Sequence, residues 1–140
     1  MSTRSLIAFS TPQGVEVIHC RHAGYLNYNG KILQECYTQS WQVDELMDLG
    51  DLDNLGADVV ACDAYHRDKG EGRDENSSRV YSDFHEALLM EFDEDDAEYF
   101  YIFLQNSEWA VINRKTAESL GVRKLSDALA ELRRAQTHSV

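Results

Sequence analysis

The run Glu98-Tyr99-Phe100-Tyr101-Ile102-Phe103-Leu104 constrains the fold more than any other part of this chain. Aromatic and β-branched side chains fit the pleated surface of a sheet. Gln105-Asn106-Ser107 follows as a turn, and Glu108-Trp109-Ala110-Val111-Ile112-Asn113 returns as a second apolar run. Together they predict a β-hairpin. The start of the chain has the same pattern. Leu6, Ile7, Ala8 and Phe9 make a buried run within a strand over residues 4–9. Thr11-Pro12-Gln13-Gly14 then turns the chain, and Val15-Glu16-Val17-Ile18-His19-Cys20 returns. Proline presets φ in such a turn and glycine accepts a positive φ.

The middle of the chain reads as mostly helical. From Asn29, a candidate N-cap, Ile32, Leu33 and Cys36 fall at helical spacing. Thr38 or Ser40 caps a second helix. Trp41, Leu46 and Leu49 form its apolar face, with Val43 and Met47 beside it, and Gly50 follows its end. Residues 51–56 read as a turn and residues 58–65 as a strand. Residues 66–78 are polar and punctuated by glycine, the pattern of a long surface loop. Ser82 opens a helix to about Phe92, with Phe84, Leu88 and Phe92 on one stripe and Leu89 near it. Residues 116–120 read as a short helix closed by Gly121. A last helix covers residues 126–134, where Ser126, Asp127, Arg133 and Arg134 suit its dipole. The expectation is one α+β domain over residues 1–140, built on a mostly antiparallel sheet from the two hairpins, with helices on one face.

The chain carries 13 basic and 25 acidic residues, a formal charge of −12. Such a surface repels nucleic acid and membranes and favours basic partners. The three cysteines, Cys20, Cys36 and Cys62, are odd in number and widely spaced, which points to reduced thiols. The apolar run after Met1 is too short for a signal peptide, and no window approaches a membrane span. A cytoplasmic location is expected.

Residues 19–30 are the densest in chemistry: His19, Cys20, Arg21, His22, Tyr25, Tyr28, Asn29 and two glycines. With Cys36, Cys62 and His66 they include types that bind zinc. The spacing is wrong for a zinc site, however, and on a strand His19 and Cys20 would point to opposite faces. Cys20 or Cys36 beside a histidine would be needed for nucleophilic catalysis, but no nucleophile signature surrounds either. No metal, cofactor or catalytic residue is assigned. Residues 65–74 alternate Arg67, Lys69 and Arg73 with Asp68, Glu71 and Asp74 around two glycines, a pattern that suits an anionic ligand. Residues 83–108 hold nine carboxylates and no lysine or arginine. That run can dock on a basic groove, although it lacks the glycine and terminal glutamate of a calcium-binding loop.

Several blocks resemble a family of small uncharacterised phage, prophage and bacterial proteins. They are Thr3-Arg4-Ser5-Leu6-Ile7, Cys20 with Gly24-Tyr25, Asn29-Gly30-Lys31-Ile32-Leu33 with Tyr37, and Gly50-Asp51-Leu52. Tyr65-His66-Arg67-Asp68-Lys69-Gly70-Glu71, residues 98–103 and Trp109 complete the set. Members read Cys-His-Trp-Asp-Gly-Tyr-Pro where this chain has Cys20-Arg21-His22-Ala23-Gly24-Tyr25-Leu26. The resemblance implies a phage or mobile-element accessory protein, with the bacterial host cell as its cytoplasmic setting. The leading expectation is a non-enzymatic acidic protein that binds and modulates a host protein with a basic surface, as an anti-CRISPR-like or other anti-defence factor. Tyr25, Asp93, Glu94, Asp95 and Asp96 would make that contact. The alternative is a small-ligand or nucleotide-binding protein, or a hydrolase, using His22, Tyr25, Arg67, Asp68 and Glu71. A homodimer is left open.

Overall fold

The computed structural model describes residues 3–92, 96–114 and 121–138. The helix expected over residues 116–120 and three of the expected partner contacts, Asp93, Glu94 and Asp95, lie outside the described residues. The expected α+β architecture is present. In chain order the strands are β1 (Ser5–Thr11), β2 (Gly14–Cys20), β3 (Leu52–Asn54), β4 (Asp63–Ala64), β5 (Arg79–Tyr81), β6 (Tyr99–Phe103), β7 (Trp109–Asn113) and β8 (Arg123–Lys124). The helices are α1 (Lys31–Cys36), α2 (Ser40–Leu49), α3 (Arg73–Asn76), α4 (Phe84–Ala87) and α5 (Leu125–His138). Wider π-type turns precede α1 at Leu26–Gly30 and follow α4 at Leu88–Phe92.

Both expected hairpins form. β1 pairs antiparallel with β2, with Thr11 opposite Gly14, and β6 pairs antiparallel with β7. The hairpins join through a central parallel pair, β1 on β6, and the sheet runs β4-β3-β2-β1-β6-β7-β8. β5 lies off that path and pairs with β2.

Contrary to the expectation of helices on one face, both faces are covered. Ile7, Ile18, Tyr101, Phe103 and Trp109 point to one side, where Leu33, Val43, Leu46, Met47 and Leu125 bury them. Leu6, Ala8, Val17, Phe100 and Ile102 point to the other, against Ala87 and Phe92. A central strand buried on both faces carries an unbroken apolar run rather than an alternating one, and β1 and β6 carry such runs. Phe100 meets Phe84 and Phe92 edge-on, with ring centroids 5.6 and 5.8 Å apart.

Other expectations fail locally. The strand expected over residues 58–65 shrinks to two residues. Asp58 instead caps a tight 3-10 turn, Val59–Ala61, accepting a hydrogen bond from the Ala61 amide at 3.0 Å. Val59 and Val60 therefore never enter the sheet, and Val60 stands in solvent. The long loop over residues 66–78 contains the short α3. β5, which follows it, and β3 both sit in stretches too polar to read as strands. No helix among the described residues is long and apolar enough to cross a membrane.

Candidate functional site

The outer edge of β2 is shared between two short strands. β5 pairs with it over residues 15–17, and β3 meets it at Cys20. His19 falls in the seam, where neither strand supplies a carbonyl to its amide. The Asp51 side chain fills that role, accepting the His19 backbone N–H at 2.9 Å. Gly50 makes the approach possible. Its φ is +81°, and a Cβ there would lie 2.2 Å from the Asn76 carbonyl oxygen. Asp51 next donates its own amide to that carbonyl at 2.7 Å.

Asp51 is buried, so its charge needs compensation. Arg79 on β5 donates to both of its oxygens, at 2.8 and 3.0 Å. The same guanidinium reaches Glu91 at 3.6 Å. Glu91, also buried, bonds His19 Nε2 at 2.7 Å and accepts from the Tyr81 hydroxyl at 2.5 Å. Burial and the Glu91 hydrogen bond push the Tyr81 hydroxyl up to about 12. Hydrogen bonding to Asp51 holds Arg79 above its ordinary value. Burial alone would lower the pKa of His19. The bond to Glu91 and the charges of Asp51 and Glu91 outweigh that, so it is raised. Burial would raise Glu91, but its bonds to His19 and Tyr81 bring it below the usual range.

The signs set a pH window. A raised histidine contributes stability that is complete below its unfolded value of about 6.5 and is lost as pH rises through its folded value. A lowered glutamate contributes stability present above about 4.3 and lost as pH falls through its folded value. The His19–Glu91 pair therefore stabilises most between about pH 4.5 and 6.5. The urea midpoint of the wild type minus that of His19→Gln, followed against pH, is expected to peak in this window. A flat difference would refute the pairing.

A second network lies at the other side of the seam. Asp53 on β3 accepts from the Tyr65 hydroxyl at 3.0 Å and sits 3.2 Å from both His22 Nε2 and Lys69 Nζ. Burial alone would raise Asp53, but bonds from Lys69 and Tyr65 lower it below its ordinary value. The loop after β2 and the loop after β4 thus meet on one carboxylate. Between the two networks is a cleft of about 170 Å³, walled in part by Arg4, His19, Arg21, Asp51, Tyr65 and Asn76.

The five residues expected to bind a ligand are placed differently from this wall. His22 faces Asp53. Tyr25 is half-exposed and packs edge-on against Tyr28 and Tyr99. Arg67 grips both oxygens of Asp68 and donates to the Val59 and Cys62 carbonyls, each at 2.7 Å. Asp68 also accepts the Ala64 amide at 2.7 Å. The Glu71 backbone closes the loop through Tyr65 and His66. Arg67, Asp68 and the Glu71 backbone therefore hold the loop shut. Of the residues expected to contact a partner, Tyr25 and Asp96 are described, and both reach solvent. The sequence reading missed Asp51, Arg79 and Glu91.

Cys20 and Cys62 are poor nucleophiles. Burial pushes Cys20 up to about 12, and its sulfur lies between the Asn29 side-chain amide at 3.4 Å and the His22 carbonyl at 3.5 Å. Burial also raises Cys62, which accepts the Gly56 amide at 3.2 Å. The thiolate is the reactive form, and these surroundings suppress it. His19 and Cys20 do point to opposite faces of the sheet, His19 to Glu91 and Cys20 to Asn29. Among the described residues, no three His, Cys, Asp or Glu side chains are grouped to hold a metal ion. No protein-family profile, curated protein or solved structure matches the chain.

Proposed function

We propose that this chain is a non-enzymatic binding protein that docks on a basic surface of a host protein, as a phage or mobile-element accessory factor acting against a host defence component in the cytoplasm. One observation carries the reading. Exposed apolar side chains, Leu89 and Met90, lie on the same segment as the carboxylate run of residues 83–98, in a chain of net charge −12. Charge of one sign speeds encounter with a basic partner, and exposed apolar residues beside it supply the contact that lasts. The phage and anti-defence parts rest on the sequence resemblance alone.

The polar seam is less suited to chemistry. Its carboxylates are matched by Arg79, His19, His22 and Lys69, and two of its thiols are buried. That internal pairing weighs against the small-ligand or hydrolase reading.

Co-purification from bacterial lysate, followed by reconstitution of the recovered pair from pure components, tests the proposal. The complex is expected to form at low salt and to weaken steeply as salt approaches physiological strength and above. The combined variant Asp93→Asn, Glu94→Gln, Asp95→Asn and Asp96→Asn, with its fold checked by circular dichroism, is expected to slow association. A reconstituted complex indifferent to both salt and this variant would refute the electrostatic docking.

A further inference from the structure

We propose that the cleft between the two polar networks binds a single phosphoryl group, held chiefly by the Arg21 guanidinium. This site is separate from the acidic docking segment and does not depend on it. It lies where three strands begin or end: Ser5 starts β1, Cys20 ends β2 and Leu52 starts β3, and all three line the cleft. Arg21 follows β2, Tyr65 follows β4 and Asn76 closes α3, so three further segments bring polar side chains to the same wall. None of the five residues expected from the sequence to bind a ligand lines it.

The pairing that occupies the carboxylates leaves one cation over. Among the residues of the wall, Asp51 carries the carboxylate. It already accepts from two Arg79 nitrogens and from the His19 amide. Asp53, the next carboxylate, lies 3.2 Å from both Lys69 and His22 and accepts the Tyr65 hydroxyl. Arg21 is exposed and makes no salt bridge among the described residues. Its side-chain partner is the neutral Tyr65 hydroxyl, and that hydrogen bond holds it above its ordinary value. A guanidinium has five N–H donors, so one hydroxyl leaves most of the fork and the whole charge unmet. Asn76 gives one amide hydrogen to the Gly72 carbonyl at 2.7 Å and keeps the other. Arg4 adds a further positive charge to the wall.

Size and shape select the occupant. The volume of about 170 Å³ is well below the roughly 300 Å³ at which pockets for whole small molecules begin. One anionic head group fits there and a nucleoside does not. A phosphoryl group carries about two negative charges at neutral pH and three acceptor oxygens in a tetrahedral array. That suits donors arriving from separate segments, whereas a carboxylate offers two oxygens in one plane to a single fork. The net charge of −12 does not prevent binding, because exposed charges more than about 8 Å away are largely screened at physiological salt. The ligand is held without reaction. Burial pushes the Cys20 thiol in the wall up to about 12, which suppresses the thiolate that would attack.

The test titrates the whole, isotope-labelled chain with inorganic phosphate at fixed ionic strength, read by nuclear magnetic resonance on the Arg21 Nε–H and the Asn76 side-chain amide. A saturable shift at both is expected. Arg21→Gln is expected to weaken binding at least about ten-fold, read at Asn76, and Arg21→Lys by less, because an ammonium keeps the charge but not the fork. Lys31→Gln, which removes an exposed charge outside the cleft, is expected to leave binding unchanged, and circular dichroism confirms that each variant is folded. Methyl phosphate that binds as well as inorganic phosphate supports the site and identifies the phosphoryl group of a larger molecule as its ligand. Methyl phosphate that binds more weakly supports the site with free phosphate as its ligand. Acetate that binds as tightly as phosphate would overturn the choice of a phosphoryl group. No saturable shift in the wild type, equal binding by Arg21→Gln, or equal weakening by Lys31→Gln would overturn the site itself.

Discussion

Replacing Arg79 with methionine is expected to lower the unfolding free energy by about 3 kcal/mol, read as a fall in the urea midpoint at neutral pH. The size follows from what remains behind. Methionine keeps most of the stem packing but abandons two buried carboxylates, Asp51 and Glu91. Removing one partner of a buried pair costs about 3–5 kcal/mol because the other charge stays desolvated and unpaired. The lower end applies here, since the Arg79 side chain keeps about a third of its surface in water. Asp51 also substitutes for a missing strand carbonyl at His19, so the loss is not confined to one ion pair. The deficit is expected to shrink in acid, where a protonated carboxyl no longer needs the guanidinium. Arg79→Lys should recover only part of the loss, because an ammonium cannot match both oxygens of Asp51 as the planar fork does. If Arg79→Met leaves the midpoint unchanged, the seam is a solvated ion pair and not a structural joint.

That joint shows where sequence reading stops. The two hairpins were readable because dense runs of β-branched and aromatic side chains admit few other conformations, as at residues 98–104. The alternation along β2 was readable too, and it placed His19 and Cys20 on opposite faces. The partners of those side chains were not. Asp51 and Arg79 lie 28 positions apart, and nothing local to either predicts that two short strands will share the edge of β2. β3 and β5 escaped notice because they hold polar residues and gain their order from pairing, not from propensity. Val59 and Val60 misled for the opposite reason. Their β-branched side chains suit a strand, but the Asp58 cap offers the backbone a closer partner. Arg67 and Asp68 drew attention as exposed opposite charges beside glycine, yet a guanidinium that meets two carbonyls and a carboxylate at 2.7 to 2.9 Å is a clasp. Sequence supplies the residue types of a site, and only the topology decides which of them are already matched.

Phe100→Ala tests the feature of the fold that the sequence reading had wrong, and it is expected to cost about 3–5 kcal/mol. Were helices confined to one face, Phe100 would point to solvent from a strand whose neighbours Tyr99 and Tyr101 face the core. Its truncation would then be nearly neutral. Instead Phe100 is fully buried beneath Phe84 and Phe92, and its ring meets each of them edge-on. Truncation removes a buried ring, opens a cavity under α4 and forfeits two aromatic contacts at once. The loss should also be uneven. Amides of α4 and the turn after it should exchange faster by hydrogen exchange, because their apolar stripe loses its seat, while α1 and α2 on the opposite face keep most of their protection. Phe100→Leu, which refills most of the volume, should restore much of the stability and of the amide protection. A small loss of stability for Phe100→Ala, or protection lost equally on both faces, would mean that the second layer does not form an independent apolar contact with the sheet.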